Sequence, residues 1–148
     1  MANFELHPKL AQDCHFLGVI QGSQILLMDD ARFPWMILVP EIPNTTELQE
    51  LPDQAFASLT YLVRETSEVL KRITEADKIN VAALGNQVPQ LHVHVVARFR
   101  NDDAWPQPVW GLDGKRPYER KTLRQLEEKI TEELFTCLLY TSPSPRDN

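Results

Sequence analysis

Nine consecutive residues, QLHVHVVAR from Gln90 to Arg98, limit the fold more than any other stretch of this chain. Side chains alternate along a β-strand. Leu91, Val93, Val95, Ala97 and Phe99 therefore share one face, which is uniformly apolar and must meet a core. Gln90, His92, His94, Val96 and Arg98 share the other, which carries an amide, two imidazoles and a guanidinium. A strand without a functional role would carry Thr, Lys or Glu there. Hydrogen-bonding and proton-handling groups in alternation suggest a site.

The rest of the chain supplies partners for that strand. Residues 16–28, FLGVIQGSQILLM, hold two apolar runs flanking Gln21-Gly22-Ser23 and predict a β-hairpin. Trp35 to Val39 is a short apolar run bounded by prolines, which predicts a buried strand. A proline-rich loop follows from Pro40 to Pro52. Asp53 is the expected N-cap of a long amphipathic helix, with Phe56, Leu59, Leu62, Val63, Val69, Leu70 and Ile73 on its buried stripe. Lys78 to Leu84 predicts a strand, Gly85-Asn86-Gln87 a loop, and Leu91 to Phe99 the histidine strand. After a loop from Asn101 to Arg116, a last amphipathic helix is expected from Pro117 to Phe135. Strands and helices do not alternate regularly, so the fold class is α+β with a mostly antiparallel sheet, a long helix and a C-terminal helix. Residues 137–148 break the pattern with a Ser/Pro-rich string that resembles translated cloning sequence. A single domain is expected over residues 1–136.

Bulk properties exclude several function classes. The chain has 148 residues, enough for one domain with its own core. The net charge of -6 and the lack of a dense Lys/Arg cluster argue against a nucleic-acid partner. No apolar run approaches the roughly 18–20 residues that span a membrane, so no membrane partner is expected. The opening MANFELHPKLAQDC has no basic segment followed by an apolar one, so a cytoplasmic location is expected. Cys14 and Cys137 lie far apart and are expected to be reduced.

Two chemistries suit the pair of imidazoles. His-x-His supplies two metal ligands on a strand, but a third must come from elsewhere, and only the fold brings His7 or His15 within reach. Imidazole is also a nucleophile near neutral pH. A Gly85-Asn86 loop ahead of the strand offers backbone N–H groups and an amide to an anion, which suits phosphoryl or nucleotidyl transfer.

The segment KINVAALGNQVPQLHVHVVAR resembles the active-site segment of the histidine-triad (HIT) superfamily. The family motif is His-φ-His-φ-His-φ-φ, with φ apolar, and here it reads Gln90-Leu91-His92-Val93-His94-Val95-Val96. The order of hairpin, strand ending in Val-Pro, long helix and two strands is also similar, and the likeness extends to about Phe135. Gln in the first motif position, followed by WPQPVWG, resembles a bacterial HIT-like branch.

The resemblance implies that His92 is a nucleophile toward the α-phosphate of a nucleotide, through a covalent nucleotidyl-histidine. It implies that His94 bonds a phosphate oxygen or the leaving group. Asn86 would hold phosphate and Asn80 would assist, while Asp29 or Asp30 would contact ribose. Arg98 would reach a distal phosphate or pair with Asp102 or Asp103. Gln90 cannot relay a proton, but it can orient His92 or bind phosphate. Trp105 and Trp110 would pack under their loop, stack on a base or meet a partner copy. A small-molecule nucleotide, a homodimer and no cofactor or metal are implied. Dinucleoside polyphosphates and nucleoside phosphoramidates are the implied substrates. The alternatives are a non-catalytic nucleotide-binding module, suggested by Gln90, and a metal-dependent His-x-His enzyme.

Overall fold

The computed structural model describes residues 3–136 and 138. A short helix α1 (Pro8–Asp13) leads into β1 (Cys14–Ile20) and β2 (Ser23–Met28). Gln21 and Gly22 link these strands with φ of 49° and 82°. Positive φ at both positions is what a tight hairpin turn needs to match strand twist. β3 (Trp35–Pro40), α2 (Asp53–Thr74), β4 (Lys78–Ala82), β5 (Val93–Arg98) and α3 (Arg120–Ile130) follow. A π-helical stretch, Thr131–Phe135, extends α3. The strands form one antiparallel sheet in the order β1-β2-β3-β5-β4. This is the expected α+β architecture.

The sheet is covered on both faces by different material. Ile25, Leu27, Met36, Leu38, Val93, Val95 and Ala97 pack against Leu59, Leu62 and Leu70 of α2 and against Ile130 and Leu134. Leu138 joins that core at 2% exposure, and the other tail residues lie outside the described residues. The opposite face packs Leu26, Phe33, Trp35, Ile37 and Val96 against Leu10, Val88 and Val109, which come from α1 and two loops. β3 is buried along its whole length because it lies between β2 and β5 and under both layers.

Several element ends depart from the sequence expectations. Pro52, not Asp53, holds the cap position of α2, and Asp53 is the first helical residue. Its carboxylate still complements the partial positive charge of the helix start. α3 begins at Arg120 rather than Pro117. Ahead of it, the Tyr118 N–H donates to Asp29 Oδ1 at 3.0 Å, which ties this segment to the end of the hairpin. β5 begins at Val93 rather than Leu91, because the Leu91 N–H donates to the Thr45 carbonyl at 2.9 Å. His92 thus stands just ahead of the ladder. Among the described residues no helix is long and apolar enough to cross a membrane.

Candidate active site

Alternation along 91–98 holds as expected, and it delivers His92, His94 and Arg98 to the loop-covered face. His92 and His94 are 6% and 5% exposed, with ring centroids 4.8 Å apart. Buried polar groups must find partners, and the partners here fix each ring's tautomer. His92 Nδ1 lies 2.7 Å from the Gln90 carbonyl oxygen. A carbonyl only accepts, so Nδ1 carries the proton and Nε2 keeps its lone pair. His94 Nδ1 lies 3.0 Å from Trp35 Nε1. An indole nitrogen only donates, so His94 Nδ1 accepts and the neutral ring's proton sits on Nε2. One imidazole therefore offers a free lone pair and its neighbour an N–H.

Electrostatics keeps both rings neutral. Burial, reinforced by the nearby His92, pushes the His94 pKa down to about 3. Burial also lowers the His92 pKa; its bond to the Gln90 carbonyl acts against that, and the charge of His7 acts with it. Around the rings stand Trp35 and Trp110, the latter edge-on to His94 at 5.4 Å.

The rings form part of the wall of a cleft of about 530 Å³. Asn86 faces the same cleft from the β4–β5 loop, together with Gly85, whose φ of 75° suits glycine. Lys9, Arg32 and Lys115 also line it, together with the carboxylates that pair with them: Arg32 meets Asp30 at 2.8 Å, and Lys9 and Lys115 meet Asp13 at 2.8 and 3.6 Å.

Four expected site residues are placed differently. Arg98 does not reach the cleft. Its Nε and Nη2 donate to Asp102 at 2.8 and 3.1 Å, its Nη1 to Asn80 Oδ1 at 2.8 Å, and Nη2 also to the Gln107 carbonyl at 2.7 Å. Of its two suggested acidic partners, Asp102 is the one it meets. Asn80 is likewise held by Arg98 and lies off the cleft. A buried guanidinium needs acceptors on all sides, and Asp102, Asn80 and the Gln107 carbonyl supply that need. Asp29 is turned toward Tyr118 N and His15 Nε2, the latter 3.1 Å away, whereas Asp30 faces the cleft. Burial works to raise the Asp30 pKa, but bonds from Arg32 and from the Arg116 N–H hold it below the usual carboxylate value.

The Gln90 amide directs its hydrogen bonds to the backbone of residues 5 and 7 and does not line this cleft. Its Oε1 accepts from His7 N and its Nε2 donates to the Glu5 carbonyl, both at 2.8 Å. Trp105 stacks over Arg98 at 5.7 Å, away from the cleft, while Trp110 lines it. Burial, then the charge of Asp13, pushes the Cys14 thiol up to about 12, so it is no nucleophile at neutral pH. Among the described residues no three His, Cys, Asp or Glu side chains are grouped to hold a metal ion.

Trp35 was read from the sequence only as core. The register that pairs Trp35 with Val96 and Ile37 with His94 sets the indole diagonally beside the His94 ring. Trp35→Phe keeps the packing but removes the N–H donor. The orphaned Nδ1 is expected to cost about 1–3 kcal/mol of stability. Nitrogen chemical shifts of the His94 ring should report a loss of the single tautomer. Unchanged shifts and unfolding midpoint would remove the assigned role of the indole.

The sequence matches the HIT domain family over residues 9–101. Solved structures with the same fold include a histidine triad protein from Bradyrhizobium japonicum, 37% identical with a TM-score of 0.88, covering 90% of this chain and 99% of that one. A histidine triad protein from Marinobacter aquaeolei is 40% identical with a TM-score of 0.89, over 91% of this chain and 98% of that one. One from Sinorhizobium meliloti is 41% identical with a TM-score of 0.87, over 88% and 97%. No curated protein matches the chain.

Proposed function

The chain belongs to the HIT domain family, and from that premise we propose that it is a nucleotide hydrolase or transferase acting at an α-phosphate through a covalent nucleotidyl-His92. The observation that carries this reading is the complementary pair of tautomers, a free lone pair on His92 Nε2 beside an N–H on His94 Nε2. His92 Nε2 forms a bond to the α-phosphorus, and the bond to the leaving group breaks with its electron pair going to that group. The His94 N–H stabilises charge on a phosphoryl oxygen, and Asn86 and its loop hold the phosphate. As the His92 ring becomes cationic, its Nδ1–H bond to the Gln90 carbonyl strengthens, which favours the transition state over the ground state. Water then attacks the phosphorus, releases the nucleoside monophosphate and restores the free ring.

Dinucleoside polyphosphates and nucleoside phosphoramidates are the proposed substrates. The His94 Nε2 N–H and the Gly85-Asn86 loop on the cleft wall are the donors that support a phosphate ligand. The reading is tested by turnover of diadenosine polyphosphates and an adenosine phosphoramidate, with chelator present. Release of AMP is expected. Tight binding of nucleotide with no release would overturn the hydrolase reading in favour of a binding module. Activity abolished by the chelator would favour a metal-dependent enzyme instead.

A further inference from the structure

The substituted motif position carries a pattern of bonds that the reaction above does not use. The Gln90 side-chain amide grips the chain on both sides of Leu6, accepting from His7 N and donating to the Glu5 carbonyl, each at 2.8 Å. This reproduces, with one side chain, the pair of bonds that a neighbouring strand makes to a backbone. Only a group with a donor and an acceptor side by side does this, and the primary amide of glutamine qualifies. The same residue's backbone carbonyl holds His92 Nδ1 at 2.7 Å. One residue thus joins the N-terminal arm to the ring that attacks.

We propose that Gln90 is a positioning residue: its side chain docks the N-terminal arm, its carbonyl orients His92, and the docked arm completes the cleft. The arm forms part of the cleft wall, since Lys9 and Leu10 of α1 line the cleft. His7 caps α1, with its Nδ1 accepting from Lys9 N at 3.0 Å, so the gripped backbone and the cleft wall are continuous. His7 is also near enough for its charge to act on His92. The loss of an imidazole from the motif is, on this view, an exchange of a third ring for a fixed wall. The inference rests on the reading of His92 as nucleophile.

Three variants separate the clamp from its surroundings. Gln90→Ala removes both side-chain bonds. His7→Pro removes only the gripped N–H and the ring; the φ of -54° and ψ of 135° at His7 are values that proline adopts. His7→Asn keeps the N–H and a side-chain acceptor for Lys9. Measured at pH 8, Gln90→Ala and His7→Pro are each expected to lower kcat for AMP release about tenfold, as a misoriented nucleophile should. The double variant should fall no further than the lower single one. His7→Asn should stay within about twofold of wild type. The second readout is the His92 Nδ1–H resonance, expected to be protected in wild type and His7→Asn and exchange-broadened in the other two. A protected resonance and wild-type kcat in Gln90→Ala and His7→Pro would overturn the proposal, as would additive losses in the double variant. If wild type releases no AMP, the hydrolase reading has failed on its own, and the resonance alone decides whether the clamp exists.

Discussion

His92→Ala is expected, on the proposed mechanism, to lower the release of nucleoside monophosphate by about a thousandfold or more. Removing a nucleophile removes the covalent route altogether, so the loss exceeds that from any hydrogen-bond donor. Intact-protein mass after mixing with substrate should show a nucleotidyl adduct on wild type and none on the variant. An adduct that persists in His92→Ala would move the nucleophile to another residue. The pH profile supplies an independent check. On the proposed mechanism the neutral ring is the reactive form, and burial lowers the His92 pKa below its ordinary 6.5. The rate should therefore be flat across neutral pH and fall only in acid.

The second large effect is on stability. Arg98 and Asp102 are 2% and 5% exposed at their side chains, and Arg98 Nε meets Asp102 Oδ2 at 2.8 Å. Arg98→Leu leaves Asp102, Asn80 and the Gln107 carbonyl without their shared donor. Breaking a buried pair from one side costs about 3–5 kcal/mol, because the remaining charge stays buried. For a domain of this size the unfolding midpoint should drop by roughly 10 °C. Calorimetry of Arg98→Leu, Asp102→Leu and the double variant checks the claim. Strictly additive losses would mean that the two groups do not act as a pair.

This pair also sets an acid limit. Burial alone would raise the Asp102 pKa, but the Arg98 bond and the N–H groups of Phe99, Ala104 and Trp105 bring it down to about 2. A depressed carboxylate contributes stability that is present above its ordinary value of 3.8 and lost as pH falls through about 2. His94 acts earlier on the same descent. Its folded pKa of about 3 lies below the ordinary 6.5, so protonation of the unfolded ring begins to favour unfolding once pH drops below 6.5.

Most of the fold was legible because burial is written in periodicity. The alternation at 91–99, the Gln21-Gly22 turn and the stripe from Leu59 to Leu70 each follow from local geometry. The two imidazoles and Asn86 were legible for a similar reason, since polar groups at regular spacing on an apolar scaffold stand out. Long-range partners were not. No local pattern indicates that Trp35 faces His94 across 59 positions, or that Gln90 holds backbone 83 and 85 positions away. Arg98 was ambiguous because a guanidinium serves phosphate and carboxylate equally well, and only the fold decides which is nearer. Asp29 and Asp30 lie in the bend just past the end of β2, where strand alternation no longer applies, and only the fold shows that one faces the cleft and the other Tyr118.

The aromatic arrangement has a use in the laboratory. Trp35 and Trp110 stand at 6.1 Å from each other on the cleft wall, each against the His94 ring, while Trp105 lies over Arg98. Indole emission depends on its immediate surroundings. Two of the molecule's three tryptophans thus line the cleft and are expected to change emission when it fills, while Trp105 stands apart from it. An unlabelled ligand should therefore be titratable by the protein's own emission.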